Sequence, residues 1–330
     1  MQESTAFVTG ATGFIGMNLA EVLRASGWQV TALVRPGANT GPLTRLGVSV
    51  AEGDVTDRDS LVRAIPRRVD CVFHVAASTS MWSRNAAELE RTNVGGTRNV
   101  VEAALERGAR RLVHTSSVAA YGFHPGRIDE DTPQLGADSW IGYFRTKALA
   151  EREVRAGLER GLDAVILNPV HVMGRHDRGN WSRLVVMTAQ GRLPGIPPGS
   201  GSFCHGAEVA RAHLAAAERG RSGANYLLGG VDATFRELVQ TIGEVTGRGV
   251  PAKVAPAALL RAVGRAKQWW SYVSGREPDM TPESVAIACA HLHADSARAE
   301  AELGYRAVPL RTIVEDSVTW LRAEGLLDRR

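Results

Sequence analysis

Directly behind the apolar run Ala6-Phe7-Val8 stands Gly10-Ala11-Thr12-Gly13-Phe14-Ile15-Gly16, and an amphipathic segment, Met17-Asn18-Leu19-Ala20-Glu21-Val22-Leu23, continues from it. Glycines at that spacing allow a tight turn and let backbone N–H groups approach a phosphate, while a helix N-terminus adds partial positive charge. In a chain with 35 glycines the pattern alone means little. At the first strand-to-helix junction of a βαβ unit it marks a dinucleotide site, the bland alternative being a plain turn. The expected contacts are Gly10, Thr12, Gly13, Phe14, Ile15 and Gly16.

The surrounding pattern supplies that context. Short β-branched runs at 6–9, 29–34, 48–51, 71–76, 111–115 and 163–167 alternate with amphipathic segments at 14–26, 58–65, 86–107 and 140–160. Such alternation predicts an α/β fold, a Rossmann-type doubly wound parallel sheet with helices on both faces. After Asn168-Pro169 the rhythm loosens, and the Gly/Pro-rich stretch 191–201 breaks it. Helical patterns at 207–219, 234–247, 256–273, 282–292 and 309–323 then predict a smaller, mostly helical C-terminal lobe. The expected division is a nucleotide-binding domain over 1–168, rejoined by segments near 202–228, and a substrate lobe over most of 169–330, with a ligand cleft between them.

Charge and cysteine content narrow the partners. The 39 Lys and Arg are interspersed with 35 Asp and Glu, so nucleic acid is not expected despite a net charge of +4. Cys71, Cys204 and Cys289 have no CxxC or Cys/His ligand spacing, which predicts neither disulfides nor metal and fits a cytoplasmic setting. No apolar stretch is long enough to cross a bilayer, and no basic leader precedes the first strand, so membrane insertion is not expected.

Arg35 follows the second strand, where an acidic residue would hold a ribose 2′-hydroxyl; an arginine there suits a 2′-phosphate. NADP(H) is therefore expected ahead of NAD(H), against the alternative of an ordinary surface arginine among 36. In Gly53-Asp54-Val55-Thr56-Asp57, Asp54 is placed to accept from an adenine amino group, while Asp57 reads equally as a helix cap.

The sharpest chemical signal is Tyr143 with Lys147, four residues on and on the same helix face. Lysine is scarce here, with Lys147, Lys253 and Lys267 the only three, which makes the pair informative. A phenol, with an ordinary pKa of about 10, needs help to exchange a proton near neutral pH, and a neighbouring ammonium favours the phenolate. Ser116 and Ser117 close the fifth strand at the sheet's carboxyl edge, where open α/β sheets bind ligands.

Together these residues resemble the extended short-chain dehydrogenase/reductases, and more closely their dihydroflavonol-4-reductase-like branch, with likeness also to 3β-hydroxysteroid dehydrogenases and NAD-dependent sugar epimerase/dehydratases. The resemblance runs through the glycine loop, Val34-Arg35-Pro36-Gly37, Gly53-Asp54-Val55-Thr56-Asp57, Val72-Phe73-His74-Val75-Ala76-Ala77, Thr92-Asn93-Val94-Gly95-Gly96-Thr97, Thr115-Ser116-Ser117, the Tyr143/Lys147 pair and Asn168-Pro169-Val170 with Gly174. It implies Ser117 as carbonyl polariser, Tyr143 as acid/base and Lys147 on the nicotinamide ribose. It further implies Asp54, Val55, Ala76 and Ala77 beside the cofactor, Asn93 as a support, and Asn168, Pro169 and Val170 bordering the nicotinamide. A homodimer through the helices at 86–107 and 140–160 is the family expectation.

One departure bears on substrate. Sugar-nucleotide relatives often carry an arginine-led strand, and here the segment reads Gly201-Ser202-Phe203-Cys204-His205-Gly206. Without that cation a nucleoside diphosphate lacks a natural partner. The expected activity is therefore NADP(H)-dependent interconversion of a ketone or aldehyde with an alcohol on a small, largely apolar or ring-bearing substrate. The alternatives are an NAD-retaining epimerase or dehydratase and a non-catalytic redox sensor. Ser78, Met81, Trp82 and His171 are candidate substrate contacts, with His176 near the same edge. His205 is expected to be structural, without a carboxylate partner, and the cluster Trp269-Trp270-Ser271-Tyr272-Val273 is expected to pack within the lobe, the alternative being that it lines an apolar substrate pocket.

Overall fold

The computed structural model describes residues 3–251 and 253–328. The chain runs β1 (Thr5–Thr9), α1 (Phe14–Ala25), β2 (Gln29–Val34), α2 (Gly41–Arg45), β3 (Ser49–Glu52), α3 (Arg58–Ala64), β4 (Cys71–His74), α4 (Ala86–Glu90), α5 (Gly96–Arg107), β5 (Leu112–Thr115), β6 (Arg127–Ile128), α6 (Gly142–Glu159), β7 (Ala164–Pro169) and β8 (His171–Met173). It continues through α7 (Trp181–Ala189), β9 (Ser200–His205), α8 (Gly206–Arg219), β10 (Asn225–Leu228), β11 (Val231–Thr234), α9 (Phe235–Thr246), α10 (Ala257–Ser274), α11 (Pro282–Ala288), β12 (His291–Ala294), α12 (Ala297–Leu303) and α13 (Leu310–Ala323).

Seven strands form a parallel sheet in the order β10-β7-β5-β4-β1-β2-β3. Side chains alternate across it, as the two-residue period requires. Val8, Phe73, Val113 and Val165 pack on one face with α1 and α8, while Phe7, Val72, Leu112 and Ile166 pack on the other with α3, α5 and α6. Burial on both faces explains why these strands read as continuous apolar runs.

Several elements differ from the sequence expectation. The segment 86–107 is one helical path interrupted by a π turn over Arg91–Gly95, which carries Asn93. The expected helix 282–292 stops at Ala288, and His291–Ala294 becomes a strand paired with β9 and β6. Of the segment 202–228, α8 packs on the main sheet and β10 extends its edge, but β9 belongs to a second, five-stranded sheet with β6, β8, β11 and β12. The lobe thus wraps α7, α9 and α13 around β9, with Val185, Phe203, Phe235, Leu238, Ile313 and Val318 in its core.

Candidate active site

β1 and β4 lie side by side, but the chain leaves them toward opposite edges of the sheet. The loops after them diverge and open a crevice at the carboxyl ends of the strands. A cleft of about 970 Å³ occupies that position, reaching from the end of β2 to the small lobe.

One end of the cleft is built by the glycine loop. Gly10 has φ +72°, and a Cβ there would stand 2.6 Å from the Ala76 nitrogen. A Cβ on Gly16 would meet the Gly10 carbonyl oxygen at 2.1 Å. Only glycine allows β1, the loop after β4 and the first turn of α1 to approach so closely. Gly13 caps α1 without a side-chain hydrogen bond and the first turn carries no acid, so the leading amides of the helix remain available as donors. Gly10, Thr12, Gly13, Phe14, Ile15, Gly16, Ala76 and Ala77 all line this end. Its narrow, amide-lined floor fits a dinucleotide pyrophosphate.

Arg35, Asp54 and Val55 line the same region from the ends of β2 and β3. Asp54 Oδ1 accepts from the Thr56 amide and hydroxyl, both at 2.8 Å, which fixes its carboxylate at the cleft wall. Asp57 caps α3, accepting from the Asp59 and Ser60 amides. Of the two readings of that acidic pair, the helix cap at Asp57 is the one present.

The sheet edge and α6 bring Ser117, Tyr143 and Lys147 to one wall. Lys147 is 4% exposed, and its Nζ donates to the Thr115 carbonyl at 2.9 Å. Burial pulls its ammonium down to about 8, while Glu151 acts in the opposite direction. Burial also holds the Tyr143 phenol above its ordinary value, opposed by a hydrogen bond with Ser117. The sequence reading has Lys147 lowering that phenol; here burial governs it, and the ammonium is directed to Thr115. The two serines separate by direction. Ser116 Oγ turns inward and donates to Glu151 at 2.5 Å, whereas Ser117 Oγ faces Tyr143 and accepts from the Ala119 amide.

Behind this wall lies a carboxylate that sequence reasoning missed. Glu151 is fully buried; its Oε1 accepts from Ser116 and from Asn168 Nδ2 at 2.6 Å, its Oε2 from Gln134 at 2.7 Å and Asn225 at 2.9 Å. Asn168 also donates to the Ser117 carbonyl at 3.1 Å, so it supports the wall from behind rather than lining the cleft. Asn93 does the same from the π turn. It holds both backbone groups of Ser78, at 2.7 and 3.0 Å, and reaches Thr146 at 3.1 Å. The one available signal for Glu151 was its place four residues beyond Lys147, on the same face.

The other end of the cleft is apolar. Pro169, Val170, His171, Met81, Trp181, Ile287, Ala288 and Leu292 line it, with Ser78 and Thr79. The His171 ring stands edge-on to Trp181 at 4.8 Å and near Phe203 and Phe235; burial pulls its pKa to about 3. Trp82 does not line the cleft; its Nε1 donates to Ser271 at 3.0 Å. His176 also lies elsewhere, bonded to Glu21 at 2.9 Å. His205, expected to lack a carboxylate partner, meets Asp316 at 3.1 Å, because α13 folds back over β9 from 111 residues away. Trp269, Trp270 and Val273 neither line the cleft nor pack in the lobe but project outward from α10, and the half-exposed Tyr272 reaches back to Ser83.

This cleft on this fold is that of a nicotinamide-nucleotide enzyme of the short-chain dehydrogenase/reductase kind, and comparison with known proteins agrees. The NAD dependent epimerase/dehydratase family matches residues 6–229, and the chain belongs to it. The chain is 33% identical over 328 residues to Sterol demethylase protein B of Methylococcus capsulatus, covering 98% of this chain and 100% of that protein. It is 31% identical over 306 residues to the 4-hydroxy-2-methyl-3-oxo-4-farnesyl-3,4-dihydroquinoline-1-oxide ketoreductase of Stigmatella aurantiaca, covering 91% of each. Among solved structures, a nucleoside-diphosphate-sugar epimerase from Pseudomonas aeruginosa superposes with a TM-score of 0.81 at 25% identity, over 99% of this chain and 100% of that one.

Proposed function

We propose that the protein is an NADP(H)-dependent oxidoreductase that interconverts a ketone or aldehyde with an alcohol on an apolar, ring-bearing substrate. The observation that carries this reading is the convergence of Ser117, Tyr143 and Lys147 on one cleft wall, between the glycine loop and an apolar end. In this reading residues 1–168 chiefly bind the nucleotide and the later chain chiefly binds substrate. The amides leading α1 hold the pyrophosphate, and Arg35 holds the 2′-phosphate.

A bound nicotinamide supplies or accepts the hydride. In the reducing direction the Ser117 hydroxyl donates a hydrogen bond to the substrate carbonyl oxygen, and Tyr143 delivers the proton to that same oxygen as the alcohol forms. Lys147 binds the ribose and, through its charge, stabilises the phenolate left when Tyr143 gives up its proton. In the oxidising direction Tyr143 accepts the alcohol proton. Val170, Trp181, Ile287 and Leu292 exclude water from the reacting carbon and favour an apolar body. Two relatives, named for a sterol and for a farnesyl quinoline oxide, support that preference. The same reading includes a homodimer through the helical segments at 86–107 and 140–160 and a cytoplasmic setting.

The test pairs nucleotide analysis with turnover. Protein denatured after purification should release no stoichiometric NAD, NADPH should be consumed with cyclic ketones, and Tyr143→Phe should abolish turnover while still binding NADPH. Stoichiometric bound NAD, or an active Tyr143→Phe, would overturn the reading and point respectively to an epimerase or to a different proton donor.

A further inference from the structure

α10 presents its apolar side to solvent. Of its eighteen residues only Gly264 and Ser271 are buried. At about 3.6 residues per turn, Leu259, Ala262, Ala266, Trp269, Trp270 and Val273 fall in one stripe, opposite those two. Trp269, Trp270 and Val273 are 68, 62 and 66% exposed. Among the described residues, α10 carries five of the ten exposed large apolar or aromatic side chains, so the patch is a local feature and not the scatter of an ordinary surface.

Its charge is equally one-sided. Residues 245–276 contain six Lys or Arg and no Asp or Glu, in a chain with 35 acids. Arg261 and Arg265 border the stripe on one side and form no ion pair among the described residues. Lys267 borders it on the other, tethered to Asp279 at 2.7 Å. Glu277, the next acid, turns back to Ser80 at 3.3 Å. A second copy of the chain seated on this face would bring the Arg261 and Arg265 pairs of both copies together, a like-charge contact that opposes self-association.

The inner side of the helix is firmly held. Ser271 accepts from Trp82, and Tyr272 OH bonds Ser83 at 2.7 Å, fastening α10 over the 79–85 segment whose Thr79 and Met81 line the cleft. Gly264 lies against Val285 of α11, where a Cβ would come within 3.1 Å of that side chain. The outward face is therefore rigidly displayed beside the apolar end of the cleft.

We propose that α10 is a peripheral docking helix that lies flat on an anionic lipid surface. Trp269, Trp270 and Val273 enter the headgroup layer, and Arg261 and Arg265 meet the lipid phosphates. Tryptophan, a basic flank and the absence of acids are what such a surface selects. Among the described residues no helix is long and apolar enough to cross a membrane, so the contact is with one leaflet. Docking requires no turnover and stands apart from the reductase reading.

Sedimentation of the full chain with vesicles tests it. Binding is expected to vesicles of phosphatidylcholine mixed with phosphatidylglycerol, to weaken with added salt, and to be far weaker on phosphatidylcholine alone. Arg261→Gln with Arg265→Gln should lower partitioning by about 25-fold, taking each surface cation as worth about five-fold. Trp269→Ser with Trp270→Ser should abolish the blue shift of tryptophan emission on binding. All four side chains are exposed, and thermal unfolding of both variants should match the parent. Equal binding to the two vesicle types, or undiminished binding by the tryptophan variant, would overturn the proposal. So would a parent dimer that this variant dissociates without any vesicle binding, which would assign the face to a second copy.

Discussion

Lys147 Nζ donates to the main-chain carbonyl of Thr115 at 2.9 Å, fastening α6 to the carboxyl end of β5. The bond sets the height of α6 against the sheet edge, and with it the positions of Tyr143, one turn earlier, and Ser117, two residues beyond Thr115. One buried cation thus helps to align all three groups of the cleft wall.

Lys147→Met separates chemistry from stability. The ammonium titrates at about 8 in the fold against an ordinary value of 10.5. Between those values the unfolded chain holds more protons, so stability rises with pH across that window, and below it the charged side chain burdens the fold by about 3 kcal/mol. Methionine removes the burden and loses a hydrogen bond worth about 1 kcal/mol. Urea unfolding at pH 7 should find Lys147→Met about 2 kcal/mol more stable, with the rise toward pH 10 gone, while turnover falls by about 100-fold or more. A variant less stable than the parent at pH 7 would contradict this account. Lys147→Arg should not restore turnover, because a planar guanidinium does not fit a site shaped for a compact ammonium.

Glu151→Gln probes the carboxylate behind the wall. Glu151 accepts from four donors, two on each oxygen. An amide group necessarily turns its NH2 toward two of those donors, leaving buried hydrogens unpaired at about 1–3 kcal/mol. The loss should appear as a lower urea midpoint with an unchanged slope. Glu151 also raises the Lys147 value. The variant should therefore move the pH window of Lys147 downward, an effect that loss of packing alone would not produce. Unchanged stability and an unmoved window would show that Glu151 is not a charged partner of the site.

Arg35→Ser tests the cofactor preference. Removing a guanidinium from a phosphate should cost about 2 kcal/mol, or roughly 30-fold in NADPH affinity, with NADH affinity unchanged. Fluorescence titration of the reduced nucleotides distinguishes this from general damage to the loop, which would weaken both. Equal losses for the two nucleotides would remove Arg35 from the phosphate site.

The parts legible in the sequence are those whose chemistry is local. Gly10 and Gly16 are demanded by contacts within one strand-loop-helix unit and the strand beside it, and Tyr143 with Lys147 by one helical turn. Apolar runs alternating with amphipathic segments were enough to predict the parallel sheet, because its inner strands β4, β5 and β7 are buried on both faces. Glu151 stayed hidden because its role depends on Ser116, Gln134, Asn168 and Asn225, which only the fold gathers. His205 was paired with Asp316 by the return of α13, a contact no window of sequence contains. The expected helix 282–292 takes in His291 and Leu292, the first half of β12, and these become strand through pairing with β9. Trp269 and Trp270 were expected inside the lobe on composition, but hydrophobicity does not reveal which side of a helix faces the core.

Acid should destabilise the protein over a defined window. His74, His114, His171 and His213 are buried, and burial lowers all four, taking His74, His171 and His213 to about 3, 3 and 4. Below the ordinary value of 6.5 the unfolded chain takes up four protons that the fold refuses, so their contribution is intact above that pH and is lost as pH falls toward 4. Four such groups give a slope of up to about 5 kcal/mol per pH unit in urea unfolding between pH 6 and 4. His171 offers the cleanest dissection, since its buried Nε2 has no hydrogen-bond partner and its ring already sits among Trp181, Phe203 and Phe235. His171→Phe removes a titrating group and an unpaired nitrogen together. It should reduce the acid slope by about 1.4 kcal/mol per pH unit and leave stability at pH 8 equal or higher. A slope unchanged by this substitution would mean that His171 is already charged in the fold, and the aromatic surroundings of its ring would then need an anion that none of the three rings supplies.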